Sequence, residues 1–278
     1  IEWIEKNKLI QKNKNLFKFP KTTGMYKSEK LNFKINENGI ATEVSILNGP
    51  IFKRRSPLLL TKETFKITPV KPINELRREA EKSNPPLENS KSDKFDLVEI
   101  KNIDKSIKYD IRYASENNFM GSKFYKTSNA FLQRPAAEAL KRVNKKLRSY
   151  GFGLLIHDAY RPWYVTKMFW DATPEDKKIF VANPQNGSRH NRGCAVDLTL
   201  YELSTGSPVE MISGYDEFTD RAFPYYYGGT TKQRWLRDLL REKMESEGFS
   251  VYEYEWWHFD YKDWKKYGIG NLKFEDIK

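Results

Sequence analysis

The chain contains three histidines, His157, His190 and His258, and two of them stand in segments suited to metal chemistry. The first segment is Ser188-Arg189-His190-Asn191-Arg192-Gly193-Cys194-Ala195-Val196-Asp197. Imidazole nitrogen and carboxylate oxygen both bind zinc at about 2.0–2.2 Å, so His190 and Asp197 are candidate ligands. Asp197 is embedded in Ala195-Val196-Asp197-Leu198-Thr199-Leu200, where a carboxylate is costly to bury without a partner. A metal ion would be that partner. The second segment is Glu255-Trp256-Trp257-His258, in which His258 is a candidate third ligand. Three protein ligands leave one position open, the arrangement of catalytic rather than structural zinc, so one Zn2+ per chain is expected. Glu255 is then the candidate general base. A third segment, His157-Asp158-Ala159-Tyr160-Arg161-Pro162, follows an apolar run and reads as a loop carrying site residues. Arg161 could offset a developing oxyanion; its plainer reading is an ion pair with Asp158. His157 is expected to play a structural or supporting role. Each residue alone has an ordinary structural reading, and the combination is what favours zinc chemistry.

These residues need elements to position them. Residues 194–201 read as a strand, with Asp197 and Thr199 on one face and Val196, Leu198 and Leu200 on the other. A strand over 249–254 leads into Glu255. Glu255 and His258, three apart, would face opposite sides of a regular strand, so the strand must end or bend between them for both to serve one site. Residues 152–156 form a short apolar strand ahead of the third segment. Pro135 opens a helix carrying Leu140, Val143 and Leu147, and Gly151 closes it. Thr173-Pro174-Glu175-Asp176 reads as a further helix start. Thr230 caps a helix with Trp235, Leu239, Leu240 and Met244, stopped at Gly248. Strands and helices mix without a regular alternating repeat. An α+β domain with a central, mainly antiparallel sheet flanked by helices is expected.

Upstream the pattern loosens. Residues 1–30 are polar and Lys-rich, and 31–70 read as short strands around the turn dipeptides Asn38-Gly39 and Asn48-Gly49. A weak helix follows over 73–82, then a Pro/Ser/Asn-rich linker over 83–93. This divides the chain into a basic N-terminal extension, 1–90, and a catalytic domain, 91–278, with the extension dispensable for chemistry.

Composition bounds the rest. The 278 residues are 38% hydrophobic and 31% charged, as in soluble globular proteins. No apolar run reaches about 18 residues, so no membrane span is expected. The single cysteine, Cys194, excludes an internal disulfide. The chain begins at Ile1 rather than Met, which reads as a processed product or a fragment whose targeting segment could be missing. Bacterial cytoplasm and periplasm or cell envelope both remain open as compartments. Of the net charge of +12, residues 1–94 contribute +9 (20 basic, 11 acidic) and 95–278 only +3 (29 basic, 26 acidic). The scattered lysines read as a solvated flank, or as a contact for an anionic cell-wall polymer. No nucleic-acid partner is expected, because no recognised module accompanies them.

Taken together, the motifs resemble the D-alanyl-D-alanine dipeptidase family. Ser188 to Asp197 matches an S-x-H-x-x-G-x-A-x-D signature, and Glu255 to His258 an E-x-x-H element. Asp158-Ala159-Tyr160-Arg161-Pro162 resembles a D-G-Y-R-P segment, with Ala159 in place of the usual Gly. Asp110-Ile111-Arg112-Tyr113-Ala114 resembles an early D-x-R-Y-A motif. The resemblance covers about residues 95–265. It implies zinc held by His190, Asp197 and His258, Glu255 as base, and Arg161 on the oxyanion. It also implies Asp216 holding the substrate's amino group, with Ser188 and Asp158 beside the substrate. The fold it implies places the zinc on an antiparallel sheet, as in D-Ala-D-Ala carboxypeptidases and hedgehog-type domains. The expected activity is hydrolysis of D-Ala-D-Ala or a similar small dipeptide in cell-wall metabolism. The alternatives are a carboxypeptidase or endopeptidase acting on peptidoglycan stem peptides, and a zinc-stabilised binding module without catalysis. Retention of Glu255 and Arg161 argues against the last.

Overall fold

The computed structural model describes residues 9–19, 28–37, 39, 41–46, 51–53, 65–88 and 92–277. The chain divides into two compact units, Ile1–Thr61 and Lys62–Lys278. The first is an antiparallel meander in sequence order: β1 (Ile10–Gln11), β2 (Leu16–Lys18), β3 (Lys30–Ile35), β4 (Ala41–Ile46) and β5 (Ile51–Lys53). Alternation along β3 and β4 places Leu31 opposite Ile46, and both are buried. The turn residues Asn38, Asn48 and Gly49 lie outside the described residues, while Gly39 has φ +74°, a conformation glycine adopts without strain.

The second unit opens with α1 (Ile73–Glu81), followed by β6 (Leu97–Glu99), α2 (Ile100–Ile103), β7 (Lys108–Tyr109) and β8 (Phe131–Gln133). Then come α3 (Arg134–Arg148), β9 (Phe152–Asp158), α4 (Trp163–Ala172), β10 (Ala195–Glu202), α5 (Thr231–Glu245), β11 (Phe249–Tyr252) and β12 (Glu255–Tyr261). A five-stranded sheet of order β11-β12-β10-β9-β7 forms its centre. Every pairing in it is antiparallel except β7 with β9. The mixed α+β architecture and the mainly antiparallel sheet are therefore as expected.

Local chemistry accounts for the elements around the sheet. In α3, Ala136, Leu140, Val143 and Leu147 recur at helical spacing and are buried. Gly151, at φ +84°, ends the turn after it and lets the chain double back into β9. α5 starts at a capping box in which the Thr230 hydroxyl accepts from the Gln233 N–H and the Gln233 side chain accepts from the Thr230 N–H.

The structure departs from the sequence reading in three places. The break between units falls at 61/62, not at 90/91. Ile67, Leu76 and Ala80 are at most 1% exposed within the main core, and α1 packs on α4, so residues 65–82 belong to the second unit. Thr173 does not cap a following helix. Its hydroxyl donates back to Phe169 O at 2.6 Å as α4 ends, and Glu175–Phe180 is only a 3-10 helix. The 163–172 segment, read as part of no helix, is α4. Its apolar residues are buried on nearly all sides, which erases the periodicity that marks a surface helix.

Candidate active site

The register of the central sheet brings the key side chains together. Asp197 on β10 lies directly opposite His258 on β12. On its other side Asp197 faces Asp158 of β9, across a register shift that leaves His157 as the extra residue. The bulge lets Asp158 share a face with Asp197, although regular alternation from Ile156 would require a different partner. A second irregularity lies in the β11–β12 pairing, between Val251↔Phe259 and Tyr252↔Glu255. It is the bend that Glu255 and His258 need. Glu255 Oε2 lies 3.8 Å from His258 Nδ1, so both residues reach one site.

His190 arrives on a 3-10 turn, Arg189–Arg192, just before β10. The Ser188 hydroxyl accepts from the His190 N–H at 3.3 Å, and the Asn191 side chain accepts from the Ser188 N–H, closing a capping box. Gly193 ends the turn at φ +68°, and a Cβ there would stand 2.5 Å from Leu97 Cδ2. The motif's glycine is thus favoured by its backbone conformation, and a side chain there would also displace Leu97.

Three ligand atoms converge. His190 Nε2 lies 3.1 Å from His258 Nδ1 and 3.4 Å from Asp197 Oδ1, and His258 Nδ1 lies 2.9 Å from Asp197 Oδ1. All three residues are buried. The remaining polar atoms already have partners. His190 Nδ1 meets Ala159 O at 2.7 Å, His258 Nε2 meets Asp260 Oδ1 at 3.0 Å, and the Tyr215 hydroxyl donates to Asp197 Oδ2 at 2.8 Å. If each histidine donates from its outer nitrogen, its inner lone pair points into the cluster. Two lone pairs and a carboxylate at such separations repel unless a cation sits among them, so this group could hold a metal ion.

The surrounding groups are ordered by charge and hydrogen bonds. Arg161 donates from Nε and Nη2 to Asp158 Oδ2 at 3.0 and 2.7 Å, and Asp158 Oδ1 accepts from the Tyr125 hydroxyl at 2.7 Å. Burial works against the Arg161 charge, yet Asp158 more than offsets it. Asp158 thus holds Arg161 through Oδ2 and is itself held by Tyr125 through Oδ1. The Arg161 guanidinium lies over the rings of Tyr113 and Phe169, 5.2 and 4.9 Å from their centroids. Glu255 keeps 26% of its side chain exposed. Burial and the nearby Asp197 raise its pKa against the pull of His258. Asp216 sits at φ +55°, 9% exposed, and accepts from the Tyr113 hydroxyl at 3.0 Å. Burial, Asp197 and Glu255 push its pKa well up.

Sequence reasoning missed several groups. Tyr113, in the Asp110–Ala114 motif, and Tyr215, next to Asp216, have no role in the sequence reading, yet their hydroxyls, 3.1 Å apart, link Asp216 to Asp197. Asp260 was overlooked, although strand alternation places it two residues on from His258. The Trp256–Trp257 pair belongs to the core: Trp257 is 1% exposed, and Trp256 donates to Ser213 Oγ, anchoring the loop that carries Asp216. His157 binds no cluster atom; its Nδ1 meets Asp110 O at 3.2 Å and its ring packs 4.8 Å from Tyr215. Cys194 is buried and its thiol is pushed up to about 12, which leaves it inert beside the site.

The chain is similar in sequence to known proteins. A D-alanyl-D-alanine dipeptidase of Escherichia coli K12 is 32% identical over 169 residues, covering 61% of this chain and 86% of that protein. One from Enterococcus faecalis V583 is 33% identical over 171 residues, covering 55% and 85%. One from Enterococcus faecium is 33% identical over 175 residues, covering 56% and 87%. The family model described as D-ala-D-ala dipeptidase, Peptidase_M15, matches residues 93–272, a span that contains every residue of the cluster. The chain therefore belongs to the Peptidase_M15 family of D-ala-D-ala dipeptidases.

Proposed function

We propose that this metallopeptidase hydrolyses D-alanyl-D-alanine or a similar small dipeptide, using one zinc ion held by His190 Nε2, Asp197 Oδ1 and His258 Nδ1. The observation that carries the reading is the convergence of those three atoms, 2.9–3.4 Å apart, with every other polar atom of the three side chains engaged. Tetrahedral ligands about 2.1 Å from zinc stand about 3.4 Å apart, close to these separations. Zinc in such a site supplies Lewis acidity, which makes water a usable nucleophile near neutral pH.

The protein's own groups divide the remaining work. Glu255, on the edge of the cluster and partly open to solvent, takes a proton from the attacking water. It returns that proton to the nitrogen of the peptide bond as the C–N bond breaks. Its raised pKa suits a group that must both accept and release a proton. Arg161 uses Nε and Nη2 on Asp158, leaving Nη1 as the nitrogen that can meet charge building on the carbonyl oxygen. Asp216 receives the free ammonium of the dipeptide. Among the described residues no cation is in salt-bridge contact with it, so the ammonium is the charge that its buried carboxyl lacks. Ser188 flanks the substrate while capping the turn that carries His190.

The test is release of free alanine by the whole chain, with zinc and with a chelator, from D-Ala-D-Ala, the other Ala-Ala stereoisomers, N-acetyl-D-Ala-D-Ala and a stem pentapeptide. Zinc-dependent cleavage of the free D,D-dipeptide is expected. Equal cleavage of the acetylated dipeptide or the pentapeptide would replace the dipeptidase reading with a carboxypeptidase one.

A further inference from the structure

The two histidines of the cluster are supported unequally. His190 Nδ1 meets a neutral backbone carbonyl, Ala159 O, at 2.7 Å. His258 Nε2 meets a carboxylate, Asp260 Oδ1, at 3.0 Å. Asp260 is 7% exposed, and its second oxygen accepts from Arg189 Nη1 at 2.7 Å. Arg189 is itself fixed: its guanidinium lies over the rings of Trp264 and Tyr252, 5.0 and 5.8 Å from their centroids. Tyr252 also packs edge-on against the His258 ring at 5.4 Å.

Topology explains why these groups meet. Asp260 is two residues beyond His258 on β12, so strand alternation points both to one face. Arg189 immediately precedes His190 in the 3-10 turn. The turn that delivers one histidine therefore also delivers the cation that holds the carboxylate under the other.

We propose that Asp260, clamped by Arg189, is a positioning residue that fixes His258 with its Nδ1 lone pair turned into the cluster and strengthens it as a metal ligand. The inference rests on the zinc reading above. Donation of the Nε2 proton to a carboxylate selects the tautomer whose Nδ1 is free, and the negative charge makes that nitrogen a better donor. Arg189 keeps Asp260 from swinging toward solvent. It also couples the two histidines, because displacing the 189–192 turn moves His190 and loosens Asp260 together.

The experiment measures zinc affinity of the whole chain by competition with a chromophoric chelator, for wild type, D260A, D260N, R189M and R189K. Loss of an outer partner of a metal-bound histidine costs about 10–100-fold in affinity. D260A is expected to fall in that range. D260N keeps an acceptor oxygen and loses the charge, so it should weaken binding less. R189M should weaken binding, and R189K should recover part of the loss. The second readout is the His258 Nε2–H proton resonance of the zinc form, assigned by its absence in H258A. It should lie far downfield in wild type and move upfield in D260N, a change that a purely structural role for Asp260 would not produce. Folded D260A and D260N proteins that bind zinc as tightly as wild type would overturn this proposal alone. Wild type that binds zinc no better than H190A would overturn the metal reading and this proposal with it.

Discussion

Removing the chain before Ser92 should damage the second unit, whereas removing it before Lys62 should not. Ile67 and Leu76 are 1% and 0% exposed, and each fully buried side chain of this size contributes about 1.5–3 kcal/mol. Their joint contribution is about 3–6 kcal/mol. Backbone bonds from Ile67 N to Phe119 O at 2.8 Å and Val70 N to Ala172 O at 2.9 Å add to it, as does Arg77 Nη2 donating to Phe124 O at 2.8 Å. Ordering residues 65–82 costs conformational entropy that offsets part of this. A residual of about 3 kcal/mol is still a large share of the roughly 5–15 kcal/mol that holds a domain together. It corresponds to a fall in Tm on the order of 10 °C for a unit of this size. The damage should reach the site, because α1 packs on α4 and Phe169 of α4 lies under the Arg161 guanidinium. Thermal unfolding and dipeptide hydrolysis would be compared for the whole chain, a chain from Lys62 and a chain from Ser92. The chain from Lys62 should match the whole protein in Tm of this unit and in kcat/KM. Equal Tm and equal turnover for the chain from Ser92 would refute the assignment of residues 65–82 to the catalytic core.

Glu255→Gln should keep its zinc while kcat falls by about 10²-fold or more; unchanged turnover would place the base elsewhere. Asp216→Asn should raise KM for free dipeptide and narrow the gap to the N-acetylated analogue. A charge-assisted hydrogen bond contributes about 1.5–3 kcal/mol, roughly a tenfold to hundredfold preference, and an unaltered KM would remove Asp216 from substrate recognition. Burial, with help from the Arg112 charge, lowers His157 from 6.5 to about 4, so the folded protein holds it neutral where the unfolded chain would protonate it. Its contribution is therefore present above pH 6.5, declines as pH falls below that value and is fully lost below about 4. The loss is on the order of 3 kcal/mol. Urea unfolding from pH 7 to pH 4 should show it, and His157→Gln should flatten that part of the curve; an equal slope in the variant would assign the acid sensitivity to other groups.

Several features were legible without coordinates because they depend on residue type and local spacing. A carboxylate amid Ala195, Val196, Leu198 and Leu200 demands a partner whatever the fold. The spacing of Leu140, Val143 and Leu147 specifies one helical face. Thr230 with Gln233 caps a helix through atoms three residues apart. The need for a bend between Glu255 and His258 follows from strand alternation alone, and the irregular β11–β12 pairing supplies it. The candidate ligands His190, Asp197 and His258, the base Glu255 and the cation Arg161 were all named from such patterns.

What the tertiary structure decided are the relations between residues distant in sequence. Only register across β9, β10 and β12 sets Asp158, Asp197 and His258 side by side, and the bulge at His157 was not written in any local pattern. The Tyr125 hydroxyl that holds Asp158 Oδ1 comes from 33 residues upstream. The Tyr113–Tyr215 hydroxyl link spans 102 residues, and the Arg189–Asp260 clamp spans 71. α1 reads as a marginal helix by itself, and its place in the core comes from α4, whose own periodicity vanishes because it is buried on almost every side. Local propensity and patterning act within a few residues of chain, whereas the partners of a buried polar group are chosen by how the sheet and helices close around it.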